Sequence, residues 1–232
     1  LHLNELMNWI TDYVDNEISR TFFRVRETGF SAIETAGFYG ISSSKLSQIL
    51  EKEGLYAYSA HISLDEMETV PDQVLEDALA LGLSYVVCPS GRIDTVEDIK
   101  RTAEVLNILQ EKLLPYNIHL AYHNHDREFE KLDGKYKEDI LLGYFAFPEM
   151  RLELDTCWLQ YAGVDPLDYI GETIERKRLG PVHFKDLGED KQVDIALGSG
   201  IIDFQKILEK HVLDRGIIVE QEAFLRDPFI VL

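Results

Sequence analysis

Cysteine is nearly absent: Cys88 and Cys157 are the two in 232 residues, and both lie in apolar, strand-like runs. A disulfide framework is thereby excluded, and a reduced, cytoplasmic setting is the expectation. No apolar run approaches the roughly 20 residues of a membrane span. The first residues, Leu1-His2-Leu3-Asn4, lack the basic segment and apolar stretch of a secretory signal. Basic residues are also scarce, 23 against 42 acidic ones, for a net charge of −19. A field of that sign repels nucleic acid and anionic membrane surfaces, so neither is expected as a partner. No Gly-x-Gly-x-x-Gly follows a strand-like run and no Gly-Lys-Ser/Thr occurs, which weighs against nucleotide-binding doubly wound folds. Linkers, low-complexity tracts and repeats are missing too. One domain over residues 1–232 is expected, and a hydrophobic content of 45% supports its core.

What is present is an alternation of strand and helix signals. Leu1 to Leu6 is weakly strand-like, and Asn16 to Glu27 carries Ile18, Phe22 and Val25 on one helical face. Further strands read at Ser31–Thr35, Leu55–His61, Ser84–Cys88, Ile118–His125, Met150–Asp155, Pro181–Lys185 and Gly216–Glu222. Helices read at Lys45–Glu53 behind Ser42 or Ser43, and from Pro71 to Ala80. Thr95 with Asp98 forms a capping-box pattern that opens a long helix to Leu114. Shorter helices follow at Lys135–Phe145, after Asp165-Pro166, and from Asp203 to about Asp214. Eight strands alternating with seven helices predict an α/β fold, a single (β/α)8 TIM barrel whose eighth helix is short or missing. The outer face of strand eight, Ile217 and Val219, then needs a cover, either the tail from Phe224 to Leu232 or a second subunit. A homodimer is the expectation.

Four of these strands begin apolar and end in residues that bind metals or move protons: LAYHNH, RLELDTCW, PVHFKD and GIIVEQE. Side chains at i and i+2 share a strand face. His123 with His125, Glu153 with Asp155, His183 with Lys185 and Glu220 with Glu222 therefore point in pairs. At the carboxyl ends of barrel strands they converge on one mouth, where α/β barrels keep their chemistry. So many like charges need a cation. Mixed imidazole and carboxylate ligands suit one divalent ion of Mn, Co, Zn or Fe, and Mg less well. Glu34 and His61 end strands two and three across the same mouth and are candidates to touch substrate. Trp158 offers an apolar wall to a sugar face, or else packs under the loop at Gln160–Gly163. Tyr122, Val182 and Val219 read as core by alternation.

YHNHDREF, LELDTCW, AGVDP, VHFKD, LGSGIIDF and IVEQE, with GFSAIETAGFYG earlier, resemble the sugar-phosphate isomerase/epimerase group of the xylose-isomerase-like TIM-barrel superfamily. That superfamily also contains D-tagatose 3-epimerase, inosose dehydratase and endonuclease IV. The resemblance covers nearly the whole chain and implies a divalent metal at the ends of strands five to eight. It places Asp155, His183 and Glu220 as ligands. The fourth position, a glutamate in the epimerases, is His123 here, so their two-glutamate mechanism does not carry over directly. Trp158 stands where those enzymes have a substrate-binding histidine. The nuclease branch is disfavoured by the acidic charge and by missing histidine ligands.

The chemistry these residues suit is proton transfer at a carbon beside a carbonyl of a ketose or sugar phosphate. The metal would acidify that carbon and stabilise an enediolate. Glu220 would combine ligation with the role of base. His125 or Glu153 would serve as partner acid or base, and Lys185 would hold an oxyanion. A dehydratase acting on an inosose or keto-sugar through the same metal, and a non-catalytic sugar-binding barrel, are the two further readings.

Overall fold

The computed structural model describes residues 16–193 and 195–221. Helix α1 spans 16–27 and leads into strand β1, Ala32–Ala36. The elements then run α2 Ser43–Lys52, β2 Tyr56–His61, α3 Leu64–Thr69, α4 Pro71–Leu81, β3 Tyr85–Cys88 and α5 Val96–Leu113. Next come β4 His119–His123, a short hairpin of β5 Lys131–Leu132 and β6 Lys135–Tyr136, and α6 Lys137–Gly143. The last are β7 Arg151–Asp155, α7 Thr156–Tyr161, α8 Pro166–Glu175, β8 Leu179–Phe184, α9 Phe204–Lys210 and β9 Ile217–Val219.

Seven strands form one parallel sheet in the order β1-β2-β3-β4-β7-β8-β9, with helices around it. This is the α/β TIM-barrel architecture, nearly closed. Between the edges β1 and β9 lies a cavity of about 520 Å³ lined by Val25, Phe30, Ile33, Tyr58, Gly216 and Val219 among others. The predicted first strand, Leu1–Leu6, falls outside the described residues, as do Glu222 and the tail expected over strand eight. No helix among the described residues is long and apolar enough to cross a membrane.

Alternation along the strands decides which residues see the barrel interior. Leu120 and Tyr122 of β4 pack outward into the main core with Leu152 and Leu154 of β7 and Val182 and Phe184 of β8. Ala121 faces inward with Tyr85 and Val87 of β3, a small cluster joined by Tyr58. The inward positions of β4, β7 and β8 are therefore Ala121 and His123, Glu153 and Asp155, and His183. In β2 a bulge opposite Ile33 and Glu34 inserts Tyr58, so Tyr58 faces the interior low in the barrel while Ser59 and His61 follow near its mouth. Val219, expected in the core, is half-buried because it lies beside the cavity on the edge strand.

Several boundaries differ from expectation for local reasons. Helix α6 begins at Lys137 rather than Lys135, because Asp133 and Gly134 both adopt positive φ, 51° and 83°, and turn the chain into a hairpin. Strand β4 stops at His123, two residues before the predicted end, so His125 belongs to the following loop. Helix α3 arises from a full Ser63–Glu66 capping box, and α7 from Asp155, whose carboxylate accepts from the Trp158 amide. The expected Thr95–Asp98 box is present at α5.

Away from the mouth, Glu138 at the start of α6 is wholly buried, with Oε2 accepting from the Tyr169 hydroxyl at 2.6 Å and Oε1 without a partner among the described residues. Burial, helped by the charges of Glu128 and Asp139 against the Tyr169 hydrogen bond, pushes its pKa up to about 8. The unfolded chain releases this proton near the ordinary carboxylate pKa, whereas the folded chain holds it until about pH 8. Stability from this group is thus complete in acid and lost as pH rises through that window. Glu138→Gln keeps the Tyr169 acceptor and cannot ionise. It is expected to gain on the order of 1–2 kcal/mol over wild type between pH 5 and pH 8, read from denaturant midpoints.

Candidate active site

The mouth of the barrel is assembled by strand ends and two tight loop devices. The Thr156 hydroxyl lies 3.0 Å from the His183 carbonyl and 2.8 Å from that of Lys185, and it accepts from the Lys185 amide at 3.2 Å, tying the end of β7 to the end of β8. The Asn124 side-chain oxygen Oδ1 accepts from the Asp155 amide at 3.0 Å, joining the residue after β4 to the end of β7. Past β8, the buried Asp186 carboxylate collects four backbone N–H groups: Leu187, Gly198, Gly200 and Ile202, at 2.8, 2.9, 2.8 and 3.3 Å. A Cβ at Gly200 would stand 2.3 Å from the Leu187 carbonyl oxygen, so only glycine fits that close return. Glu128, also buried, accepts from the His125 amide at 2.8 Å and from the Tyr122 hydroxyl at 2.9 Å, fixing the loop that carries His125. Sequence reading missed these supports. Asn124 and Thr156 each adjoin a predicted ligand, which was the available signal.

On this frame three imidazoles meet three carboxylates. His61 Nε2 lies 3.0 Å from Glu34 Oε1 and 2.9 Å from Glu153 Oε2. His123 Nδ1 lies 3.1 Å from Glu153 Oε2, and His183 Nε2 lies 2.8 Å from Glu34 Oε1 and 3.3 Å from Glu153 Oε2. The other nitrogen of His183, Nδ1, is 2.7 Å from Glu220 Oε2, whose Oε1 is 3.5 Å from Lys185 Nζ. Two groups could each hold a metal ion, their ligand atoms within 4.8 Å of one another: His61, His123, Glu153 and His183, and separately Asp155, His183 and Glu220. The expected quartet of His123, Asp155, His183 and Glu220 is thus divided, with His183 common to both halves.

Of the three residues expected to face substrate, Trp158 lies beside this cluster, in a row with His125 and Lys185. The Trp158 ring has His125 at 5.4 Å between centroids and Lys185 Nζ at 5.4 Å, and Tyr161 meets it edge-on at 5.6 Å. Trp158 is half-buried and packs edge-on against Tyr161 of the loop at Gln160–Gly163. Glu34, by contrast, is engaged by Ser59, His61 and His183. Cys88 and Cys157 are both free thiols and both buried.

The electrostatics follow from burial set against charge. Burial opposes protonation of His61, but hydrogen bonds and charge from Glu153 and Glu34 prevail and raise its pKa to about 10. The same carboxylates outweigh burial at His183 and hold it well above the ordinary range. At His123 burial wins over Glu153, with repulsion from His183 and His61 adding to it, and the pKa drops to about 4. Burial lifts Asp155 to about 7 against the pull of His183 and the Trp158 amide. In Glu220 the burial penalty is overcome by its bond to His183 and by Lys185, and the carboxyl sits below its usual value. Two buried oxygens, Asp155 Oδ2 and Glu153 Oε1, have no hydrogen-bond partner among the described residues. An ionised oxygen so placed is costly unless a proton or cation meets it, and nitrogen with oxygen donors is a common set for transition-metal dications. The residues present fit a metal.

A model of the xylose isomerase-like TIM barrel matches residues 22–223. The chain belongs to that family. Among solved structures, this xylose isomerase-like barrel is similar to a sugar phosphate isomerase/epimerase from Parabacteroides distasonis, with TM-score 0.78 and 23% identity over 94% of this chain and 86% of that one. It is also similar to a probable 3-DHS dehydratase from Bacillus anthracis, with TM-score 0.70 and 15% identity over 93% and 89% of the two chains. A third is the IOLI protein solved with a zinc atom, with TM-score 0.68 and 16% identity over 88% and 83%. No curated protein matches the sequence. Likenesses at these identities establish the fold of this family member and leave its reaction to its own side chains.

Proposed function

We propose that this barrel is a metal-dependent sugar isomerase or epimerase that moves a proton at a carbon beside the carbonyl of a ketose or related sugar. The observation that carries the reading is the juxtaposition of Asp155, His183 and Glu220, a candidate cation site, with the row Glu220, Lys185, Trp158 and His125. Asp155, His183 and Glu220 would hold the ion. A divalent ion there supplies Lewis acidity toward the oxygens of a bound keto-sugar.

The chain's own residues then divide the work. Trp158 gives the sugar ring an apolar face. Glu220, kept ionised by His183 and Lys185, takes the proton from carbon. Lys185 is buried at 3.5 Å from Glu220 and stabilises the negative charge that grows on the carbonyl oxygen. His125 returns or relays the proton from its place beside Trp158. Glu153, closed to solvent and in contact with three imidazoles, is assigned to holding them rather than to proton transfer as first expected. Glu34 and His61 are likewise bound into that network more than offered to substrate.

The test is solvent exchange. In D2O the metal-loaded protein, offered ketoses and inososes in turn, is expected to place deuterium on the carbon next to the carbonyl of those it accepts, with an isomer or epimer as product by NMR. Enone absorbance in place of an isomer would support the dehydratase reading, in which the same first step expels hydroxide.

A further inference from the structure

We propose that the amino-terminal end of the barrel, opposite the active site, binds a phosphate-type dianion between Arg151, Lys177 and Arg215. These side chains line a cavity of about 380 Å³, with Ile174, Leu179 and Val212 as its apolar wall and Asp214 as a carboxylate beside them. The cavity belongs to the start of the strands. Arg151 opens β7 and Leu179 opens β8, while Arg215 stands just before β9. Asp155 closes β7 four residues later, about 13 Å along an extended strand, so the active site lies at the other end.

In a chain of net charge −19, positive charge gathers here. Arg151 and Arg178 both donate through Nη1 to the Met150 carbonyl at 3.2 Å, which brings two guanidiniums to one acceptor. Their neighbour Arg176 is paired with Asp139 and Glu172, whereas Arg151, Lys177 and Arg178 form no ion pair among the described residues. Arg215 meets Asp214 at 3.7 Å, with both side chains largely exposed. Burial lowers the pKa of Arg151, and the charges of Arg215 and Arg178 add to that against Tyr85 and Glu149. An anion between these cations would offset their repulsion. Four cations, Arg151, Lys177, Arg178 and Arg215, stand against Glu149 and Asp214, a surplus that matches a dianion. Guanidinium forks match the spacing of phosphate oxygens.

Three local features support a ligand. Lys177 follows the end of α8 at φ 58°, a left-handed position that glycine usually fills. A lysine costs about 1 kcal/mol there over glycine, and an anion at its exposed ammonium would offset that cost. His119, at the start of β4, has Nδ1 buried without a hydrogen-bond partner among the described residues, and its ring lies 5.6 Å from that of Tyr85. Burial, with the charges of Arg151 and Arg215, lowers the pKa of His119. The ring is therefore uncharged at neutral pH and can donate from Nδ1. Arg215 is presented on a held backbone. The Tyr58 hydroxyl donates to its carbonyl, and Gly216 follows at φ 96°, where a Cβ would stand 3.0 Å from the Tyr58 ring.

The experiment is calorimetric titration of the purified full chain with inorganic phosphate, glycerol phosphate and malonate at low ionic strength. Saturable binding of phosphate is expected. Lys177→Asn retains a residue that tolerates the left-handed backbone, and Arg215→Gln retains the carbonyl that Tyr58 uses, so both should fold as wild type does. Each should weaken phosphate by about tenfold or more, the worth of one charge-assisted hydrogen bond, with metal content unchanged. Glycerol phosphate binding tighter than phosphate would assign an organic ester whose stem lies on Ile174, Leu179 and Val212. Equal affinities would assign the free ion to the same cations. Malonate binding tighter than both would overturn the choice of a phosphate. Binding lost in Lys185→Gln but kept in Lys177→Asn and Arg215→Gln would place the anion at the mouth and overturn the site, as would no binding at all.

Discussion

His183→Ala is expected to remove the metal at Asp155 and Glu220 and to lower turnover by on the order of 10³–10⁴-fold. This side chain sits at the centre of the mouth. Its two nitrogens reach Glu34, Glu153 and Glu220, and its ring stacks on His61 at 5.7 Å with planes 11° apart. Alanine deletes a proposed ligand and also takes from Glu34, Glu153 and Glu220 one of the positive charges that face them, leaving His61 and Lys185. The variant should therefore be less stable as well, most visibly between about pH 5 and neutral pH, where the carboxylates are ionised and the imidazole is charged, with the deficit narrowing as pH rises towards the raised pKa of His183. His183→Gln keeps much of the volume and offers N–H donors without the charge: metal and turnover should still be lost while part of the stability returns. Elemental analysis, steady-state rates and thermal melts on the same preparations read all three. Full metal content in His183→Ala would contradict the assignment.

The second large effect is expected at Asp186→Ala. Four buried or partly buried backbone N–H groups converge on that carboxylate from both ends of the loop joining β8 to α9. Truncation leaves them without an acceptor, and each unsatisfied donor costs about 1 kcal/mol or more. Water reaching the outer ones limits the total to roughly 3 kcal/mol, which for a chain of this length is a fall of about 6–12 °C in Tm. The loop begins one residue after Lys185. Loosening it should raise KM and lower kcat together, while metal content stays at the wild-type value because Asp155, His183 and Glu220 stand on other supports. Asp186→Asn should fall between the two, since one oxygen survives and the amide presents donors to donors. A melt unchanged in Asp186→Ala would show that the loop does not depend on this carboxylate.

Much of this was legible in the sequence, and the reason is periodicity. Strands buried on both faces announce themselves as apolar runs, and alternation assigned Glu153 and Asp155 to one face before any coordinates. The Thr95–Asp98 box and Pro166 behind Asp165 were legible because a cap is a local device. Helix α3 and the Asp133–Gly134 hairpin carried equally local signals, Ser63 with Glu66 and a turn dipeptide, and could have been read the same way. The division of the candidate ligands could not. Whether His123 joins Asp155 or Glu153 depends on how β4 and β7 twist around the barrel. The approach of His61 to Glu153, 92 positions away in the chain, depends on the bulge at Tyr58 and on barrel closure. Spacing within one strand says which residues share a face and nothing about which neighbour each meets across the mouth.

Proton competition follows from the same geometry. The carboxylates draw protons onto His61 and His183, so a cation bound by those atoms has to displace them, and metal affinity weakens as pH falls. Exchange should therefore be run at or above neutral pH.

The most direct measurement is solvent deuterium exchange into an accepted keto-sugar, followed by NMR, with the protein metal-loaded and again after chelation. The account predicts deuterium at the carbon beside the carbonyl with the loaded protein. It predicts no exchange above buffer after chelation, and recovery when metal is returned. Exchange that persists in the chelated protein, or none with loaded protein that binds the sugar, would contradict metal-dependent proton transfer as the function of this site.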